Sequence, residues 1–216
     1  MTEKTAGEDR LKISEIFLSL QGESTLAGLP FIFVRLAGCN LRCSWCDTRY
    51  AYVSRKTMTV DAVLKKVKSF NPVRHVLITG GEPLLQRGAA TSLMKRLLLA
   101  RYDVSLETNG SLALKGVPGR VKIIMDLKPP SSGEDSRNMF SNLGILKTAD
   151  ELKIVIASKK DYNWAKSMLK GRAAAARTVL FSPGGAVTPP ELARWILRDR
   201  LPVRLQTRLH KTLNLR

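Results

Sequence analysis

Short runs rich in Val, Ile and Phe alternate along this chain with segments of helical period, and that alternation limits the fold more than any other feature. Residues 13–20, 31–36, 75–79, 104–107, 121–127, 151–156, 178–181 and 203–206 predict strands. Thr59 suits an N-cap, and Val60, Val63, Leu64 and Val67 behind it recur at helical spacing up to residue 70. Further helices are predicted at 83–100, where Pro83 suits a first turn, at 161–170 and at 188–198, where Thr188 and Glu191 have the layout of a capping box. Strands separated by helices imply a mostly parallel sheet whose working loops lie at the C-terminal strand ends. A closed eight-fold barrel takes roughly 250 residues. This chain has 216, and only about four of its connections read as helical. The expected architecture is therefore α/β, an incomplete, open TIM-like barrel. It would be a single domain over residues 12–216 behind a polar leader at 1–11. The polar stretch 131–142 reads as a loop, and 173–176 is a small alanine run.

Composition removes several classes. Apolar residues are 44% of the chain, enough for a core, so wholesale disorder is excluded. No apolar run approaches the roughly 18 residues of a membrane span. The opening MTEKTAGEDR has no apolar stretch of the secretory type, so the expected location is the cytoplasm, with no membrane partner. Lys and Arg number 36 against 18 Asp and Glu, a formal charge of +18. Such a balance first suggests nucleic acid or an acidic ligand. Aromatics are only 6%, however, and no nucleic-acid motif is present. The cations are spread along the chain, with Arg194, Arg198, Arg200, Arg204, Arg208, Lys211 and Arg216 in the last segment. They read mainly as a solvated surface, with no nucleic-acid partner expected.

The cysteines decide more. There are three, Cys39, Cys43 and Cys46, within eight residues. An odd number at spacings of four and three is no disulfide framework. Three unrelated reduced thiols would tend to scatter through a core. Structural zinc wants a fourth protein ligand, and the two histidines, His75 and His210, are distant in sequence. An iron–sulfur cube held by three cysteines, with its fourth iron open to an outside ligand, suits the loop better.

Cys39-Asn-Leu-Arg-Cys43-Ser-Trp-Cys46 resembles the C-x3-C-x2-C signature of radical S-adenosylmethionine (SAM) enzymes, and Gly80-Gly81-Glu82-Pro83 resembles their glycine-rich SAM site. Further segments narrow the resemblance. They are Phe17-x-Ser-Leu-Gln-Gly-Glu23, Arg35-Leu-Ala-Gly-Cys-Asn-Leu41, Cys46-Asp-Thr48, Glu107-Thr-Asn-Gly110, Asp126-Leu-Lys-Pro-Pro130, Asp150-Glu-Leu-Lys153 and His210-Lys-x-Leu-Asn214. Together they are similar to the 7-carboxy-7-deazaguanine synthase family, over nearly the whole chain. A different radical SAM enzyme, such as a glycyl-radical activating enzyme, shares the cysteine spacing but not the Gln21-Gly22-Glu23 turn or the His210-Lys211 tail.

The resemblance implies a radical SAM barrel. It implies a lyase that contracts the ring of 6-carboxy-5,6,7,8-tetrahydropterin, releasing ammonia, on the queuosine-precursor route. A [4Fe-4S] cluster on the three cysteines, SAM and Mg²⁺ would be the cofactors, with a reducing electron donor of flavodoxin or ferredoxin type as partner and a homodimer as the assembly. Thr48 would bind Mg²⁺. SAM would meet Trp45, Cys46, Asp47, Gly80, Gly81, Glu82, Asp126, Leu127, Lys128 and the loop Ser182, Pro183, Gly184 and Gly185. The pterin would meet the turn Leu20, Gln21, Gly22 and Glu23, then Arg35, Thr79, His210 and the carboxylate of Arg216. Residue chemistry agrees at several of these. The amide and carboxylate of Gln21 and Glu23 match the edge of a 2-amino-4-oxo ring, and the fork of Arg35 suits a carboxylate. Other readings remain beside these. Thr48 can bond its own loop, Arg35 can form a salt bridge, and Thr79 can be a core residue. Trp164, Trp195 and His75 read as structural.

Overall fold

The computed structural model describes residues 9–171 and 178–215. The alanine run and Arg216 lie outside the described residues. The strands are β1 (Arg10–Leu20), β2 (Pro30–Leu36), β3 (Lys56–Thr59), β4 (His75–Gly80), β5 (Asp103–Thr108), β6 (Lys122–Asp126), β7 (Glu151–Ile156), β8 (Val179–Pro183) and β9 (Arg204–Leu205). The helices are α1 (Val60–Lys68), α2 (Arg87–Leu99), α3 (Lys159–Lys170), α4 (Pro189–Arg198) and α5 (Leu209–Thr212). All nine strands form one sheet in the order β3-β1-β2-β4-β5-β6-β7-β8-β9. β1 pairs antiparallel with β2 and β3, and every later pairing is parallel. The end strands β3 and β9 do not meet, so the barrel is open, as the helix count implies.

Alternation along the strands builds two faces. Ile32, Val34 and Leu36 of β2 and Val76 and Ile78 of β4 point outward into the main core, together with the apolar stripes of α1 to α4. Phe31, Phe33, Leu77 and Ile124 point inward and form a separate cluster, against which Phe17 and Leu26 pack. The Thr59 and Thr188 side chains cap their helices as read, accepting from the backbone N–H of Ala62 and Glu191, while α3 starts earlier than expected because Ser158 accepts from Asp161 N–H. Trp164 and Trp195 pack against the main core, and His75 stacks on Phe31 with centroids 5.0 Å apart.

Several elements differ from expectation. β1 starts at Arg10 and Leu11 is fully buried, so the sheet extends into the stretch read as a leader. β3 is a short edge strand with exposed Lys56 and Thr57, lacking the apolar alternation that marks a strand. The segment from Pro83 splits into a 3-10 turn, Pro83–Gln86, and α2, because Gln86 turns aside to bond the backbone of Lys12 and Ala37. The loop over 131–142 is braced by 3-10 turns at Pro130–Ser132, Asp135–Arg137 and Phe140–Gly144. The last strand shrinks to two residues, and α5 follows it.

Candidate active site

The inward alternation that begins with aromatic residues ends with polar ones. Past Phe33 on β2 comes Arg35, past Leu77 on β4 comes Thr79, past Ser105 on β5 comes Glu107, and past Ile124 on β6 comes Asp126. Lys153 on β7 stands in register with Asp126, and Arg35 with Thr79. The inner face therefore changes from apolar floor to charged wall at the C-terminal strand ends. Above it opens a cavity of about 660 Å³.

The cysteine loop forms one side of that cavity. It is pinned at its start by Gly38 N–H to Ala51 O and Glu82 N–H to Gly38 O, each 2.8 Å. Ser44 secures its middle, donating from N to Ser132 O at 3.1 Å and from Oγ to Ser131 O at 2.8 Å. Cys43 and Cys46 line the cavity. Cys39 lies behind them, approached by Leu41 N at 3.5 Å and Asn109 Nδ2 at 3.8 Å. All three thiols are free and partly exposed. Burial pushes the Cys43 thiol up, and the nearby Lys128 ammonium offsets part of that. Among the described residues no three His, Cys, Asp or Glu side chains converge closely enough to hold one metal ion. Structural zinc wants four protein ligands and this loop offers three thiols, so the donor set fits a cube with an open iron better.

Gly80 and Gly81 sit where β4 presses on β2. A Cβ on Gly80 (φ +148°) would fall 2.1 Å from Leu36 O, and one on Gly81 would fall 2.2 Å from Gly38 O. Packing against the strand and the cysteine loop therefore demands glycine at both positions. Glu82 lies buried beneath this loop, not in the cavity wall. Its carboxylate accepts from Leu84 N at 2.8 Å, Asn109 N at 2.7 Å and Thr108 Oγ1 at 2.8 and 2.9 Å. Burial raises its pKa against those hydrogen bonds.

On the opposite side, Arg35 Nε donates to Glu15 Oε1 at 2.9 Å, and Tyr50 Oη donates to the same oxygen at 2.9 Å. Gln21 is buried; its loop is closed by Gln21 N to Leu29 O and Gly28 N to Gln21 O, each 2.8 Å. Glu23 N donates to Gln21 Oε1 at 3.3 Å. The tail closes over this turn: Leu209 N donates to Gly22 O at 2.9 Å, and His210 packs so tightly that a Cβ on Gly22 would fall 1.9 Å from its Nδ1. Burial lowers the His210 pKa, and the Lys211 and Arg208 charges add to this against Glu23. Arg208 Nη1 and Lys211 Nζ lie 3.2 and 3.1 Å from Asp47 Oδ2. These cations outweigh burial and hold the Asp47 carboxyl below its ordinary range. Thr48 Oγ1 is 3.7 Å from Cys46 Sγ.

The cavity gathers most of the residues singled out from sequence. Leu20 to Glu23, Arg35, Thr79 and His210 line it, as do Trp45 to Thr48, Gly80, Gly81, Asp126, Lys128 and Ser182 to Gly185. Cys39, Glu82 and Leu127 stand behind the wall; Leu127 N donates to Lys153 O at 2.8 Å. Arg216 is outside the described residues. Glu107, Asn109, Lys153, Tyr50, Arg208 and Lys211 also line it, and the sequence reading gave none of these a role. Alternation was the available signal for Glu107 and Lys153, since both alternate with the buried outward residues Leu106, Leu152 and Ile154.

An open, mostly parallel barrel with this cysteine loop at its C-terminal rim defines a radical SAM enzyme. In agreement, the sequence profile described as "Radical SAM superfamily" matches residues 33–130. "7-carboxy-7-deazaguanine synthase" of Chlorobaculum tepidum is 46% identical, over 94% of this chain and 94% of that protein. The protein of the same name from Koribacter versatilis is 40% identical, over 93% of this chain and 96% of its own length. Among solved structures, "Crystal structure of QueE from Escherichia coli" superposes with a TM-score of 0.74, covering 93% of this chain and 95% of that one at 22% identity, a likeness of fold. The chain belongs to the 7-carboxy-7-deazaguanine synthase family of radical SAM enzymes.

Proposed function

We propose that this chain is the lyase that converts 6-carboxy-5,6,7,8-tetrahydropterin to 7-carboxy-7-deazaguanine and ammonia in queuosine-precursor biosynthesis. The observation that carries the reading is one cavity in which Cys43 and Cys46 share a wall with Arg35, Gln21, Glu23 and Glu107. That places a cluster loop and a set of groups suited to a carboxylated pterin around the same space. The cluster, held by Cys39, Cys43 and Cys46, and SAM supply the hydrogen-abstraction chemistry when bound. The loops of Gly80 and Gly81, Asp126 to Lys128 and Ser182 to Gly185 shape the SAM side, with Trp45 and Asp47 at its edge and Glu82 supporting it from beneath. The Gln21–Glu23 turn reads the ring edge, and Thr79 holds Glu107 at 3.0 Å. Arg35 meets the carboxylate with its terminal nitrogens while Glu15 fixes its Nε. His210 closes the pocket over Gly22, and the same reading gives the pterin a contact with Arg216, which lies outside the described residues.

The same reading assigns Mg²⁺ to Thr48, which offers one hard oxygen facing the cavity; the substrate carboxylate and waters complete a shell that needs few protein groups. Asp47 is already engaged by Arg208 and Lys211. It also carries a single domain, a homodimer, a flavodoxin- or ferredoxin-like electron donor and a cytoplasmic location. No helix among the described residues is long and apolar enough to cross a membrane. The test is anaerobic incubation of reconstituted protein with SAM, reductant and the pterin, with and without Mg²⁺. Formation of 7-carboxy-7-deazaguanine, stimulated by Mg²⁺, is expected. An intact cluster that cleaves SAM without making that product overturns the substrate assignment, and a rate indifferent to chelator overturns the metal.

A further inference from the structure

A lysine on the inner face of a strand is costly unless paired. Lys153 is 7% exposed, and its Nζ lies 2.8 Å from Glu23 Oε2, 2.5 Å from Glu107 Oε1 and 3.3 Å from Asp126 Oδ1. The three carboxylates come from the turn after β1, the end of β5 and the end of β6. One ammonium therefore ties together the substrate turn, the floor of the cavity and the strand that leads to Lys128. The acceptors are not exhausted. Among the described residues Glu107 Oε2 takes the Thr79 hydroxyl, Asp126 Oδ2 takes Lys128 Nζ at 2.7 Å, and the buried Asp126 Oδ1 has Lys153 Nζ at 3.3 Å. Three carboxylates against two ammoniums leave a net negative charge, which suits a ligand edge rich in N–H donors.

We propose that Lys153 is a positioning residue for the substrate: its ion pairs hold Glu23 and Glu107 in place, aimed at the N–H edge of the pterin ring. This rests on the pterin reading above. Burial pulls the ammonium down, but Asp126, Glu107 and Glu23 outweigh it, so it stays charged well above the ordinary lysine value. Asp126 is held below its ordinary value because Lys128 and Lys153 outweigh its burial. The charged groups facing Lys153 are Glu23, Glu107, Asp126 and Lys128, with Asp47 across the cavity. Without the ammonium, Asp126 keeps only Lys128 against its burial, so its carboxyl takes up a proton at higher pH.

The test is steady-state kinetics of Lys153→Met and Lys153→Arg against pH, on protein whose cluster absorbance matches wild type. In Lys153→Met, KM for the pterin should rise about tenfold or more, as for loss of one charged anchor, and by more than KM for SAM, which feels Lys153 only through Asp126. The acid limb of kcat/KM for the pterin should move to higher pH, and Lys153→Arg should recover much of both effects. An unchanged pterin KM and acid limb in a cluster-loaded Lys153→Met overturns the proposal. If that variant does not load a cluster, Glu23→Gln carries the test, with a raised pterin KM expected and an unchanged one decisive against it. Wild-type protein that makes no product overturns the substrate reading instead, so the two failures are separable.

Discussion

At the residue scale, the site divides into groups that meet ligands and groups that hold them. Cys43 belongs to the first kind. Cys43→Ala should lose four-iron absorbance and all SAM cleavage after reconstitution, since three thiols are the whole protein ligand set; retained turnover would contradict the cluster. Glu82 belongs to the second. Each oxygen of its carboxylate accepts from a backbone N–H, Oε1 from Leu84 and Oε2 from Asn109, so Glu82→Gln sets its NH2 group against one of them whichever way it turns. The expected loss is about 1–3 kcal/mol of stability, read as a lower denaturation midpoint, with SAM binding weakened only as far as the loop loosens. Arg35→Lys keeps charge but not the fork. It should raise KM for the pterin about tenfold and leave uncoupled SAM cleavage near wild type.

At the element scale, the tail is the part least visible in sequence and most exposed to test. Helix α5 has four residues, too short for a periodic signal, and it is held by Gly22 O, by Asp47 and by the space that Gly22 leaves. Gly22→Ala should displace His210 and raise pterin KM while the cluster forms normally. Because folding lowers the His210 pKa from 6.5, the unfolded chain binds that proton more readily. Stability should therefore fall as pH drops through about 6.5, and His210→Gln should remove that part of the dependence in thermal melts at about pH 5.5 to 8. The strands and the four longer helices were legible because apolar period and caps mark them. β3 was not, being a polar edge. Lys153 and Glu107 were legible as motif letters but not as a network, because their partners lie 130 and 46 residues from Lys153.

At the scale of the whole molecule, the open barrel gives each strand end a separate loop and so brings distant motifs to one rim. The order of polar inner residues, Arg35, Thr79, Glu107, Asp126 and Lys153, follows the spatial order of β2, β4, β5, β6 and β7. Glu107 and Asp126 sit side by side in that order, and Lys153 on the next strand holds both carboxylates in place. The +18 charge plays little part in it: the cations that matter are the few that line the cavity. The most direct measurement of the central claim quantifies SAM and 7-carboxy-7-deazaguanine in the same anaerobic reaction with 6-carboxy-5,6,7,8-tetrahydropterin. The expected result is 7-carboxy-7-deazaguanine, formed only when pterin, SAM and reductant are all present. SAM consumed by a protein with an intact cluster, with no 7-carboxy-7-deazaguanine formed, would contradict it.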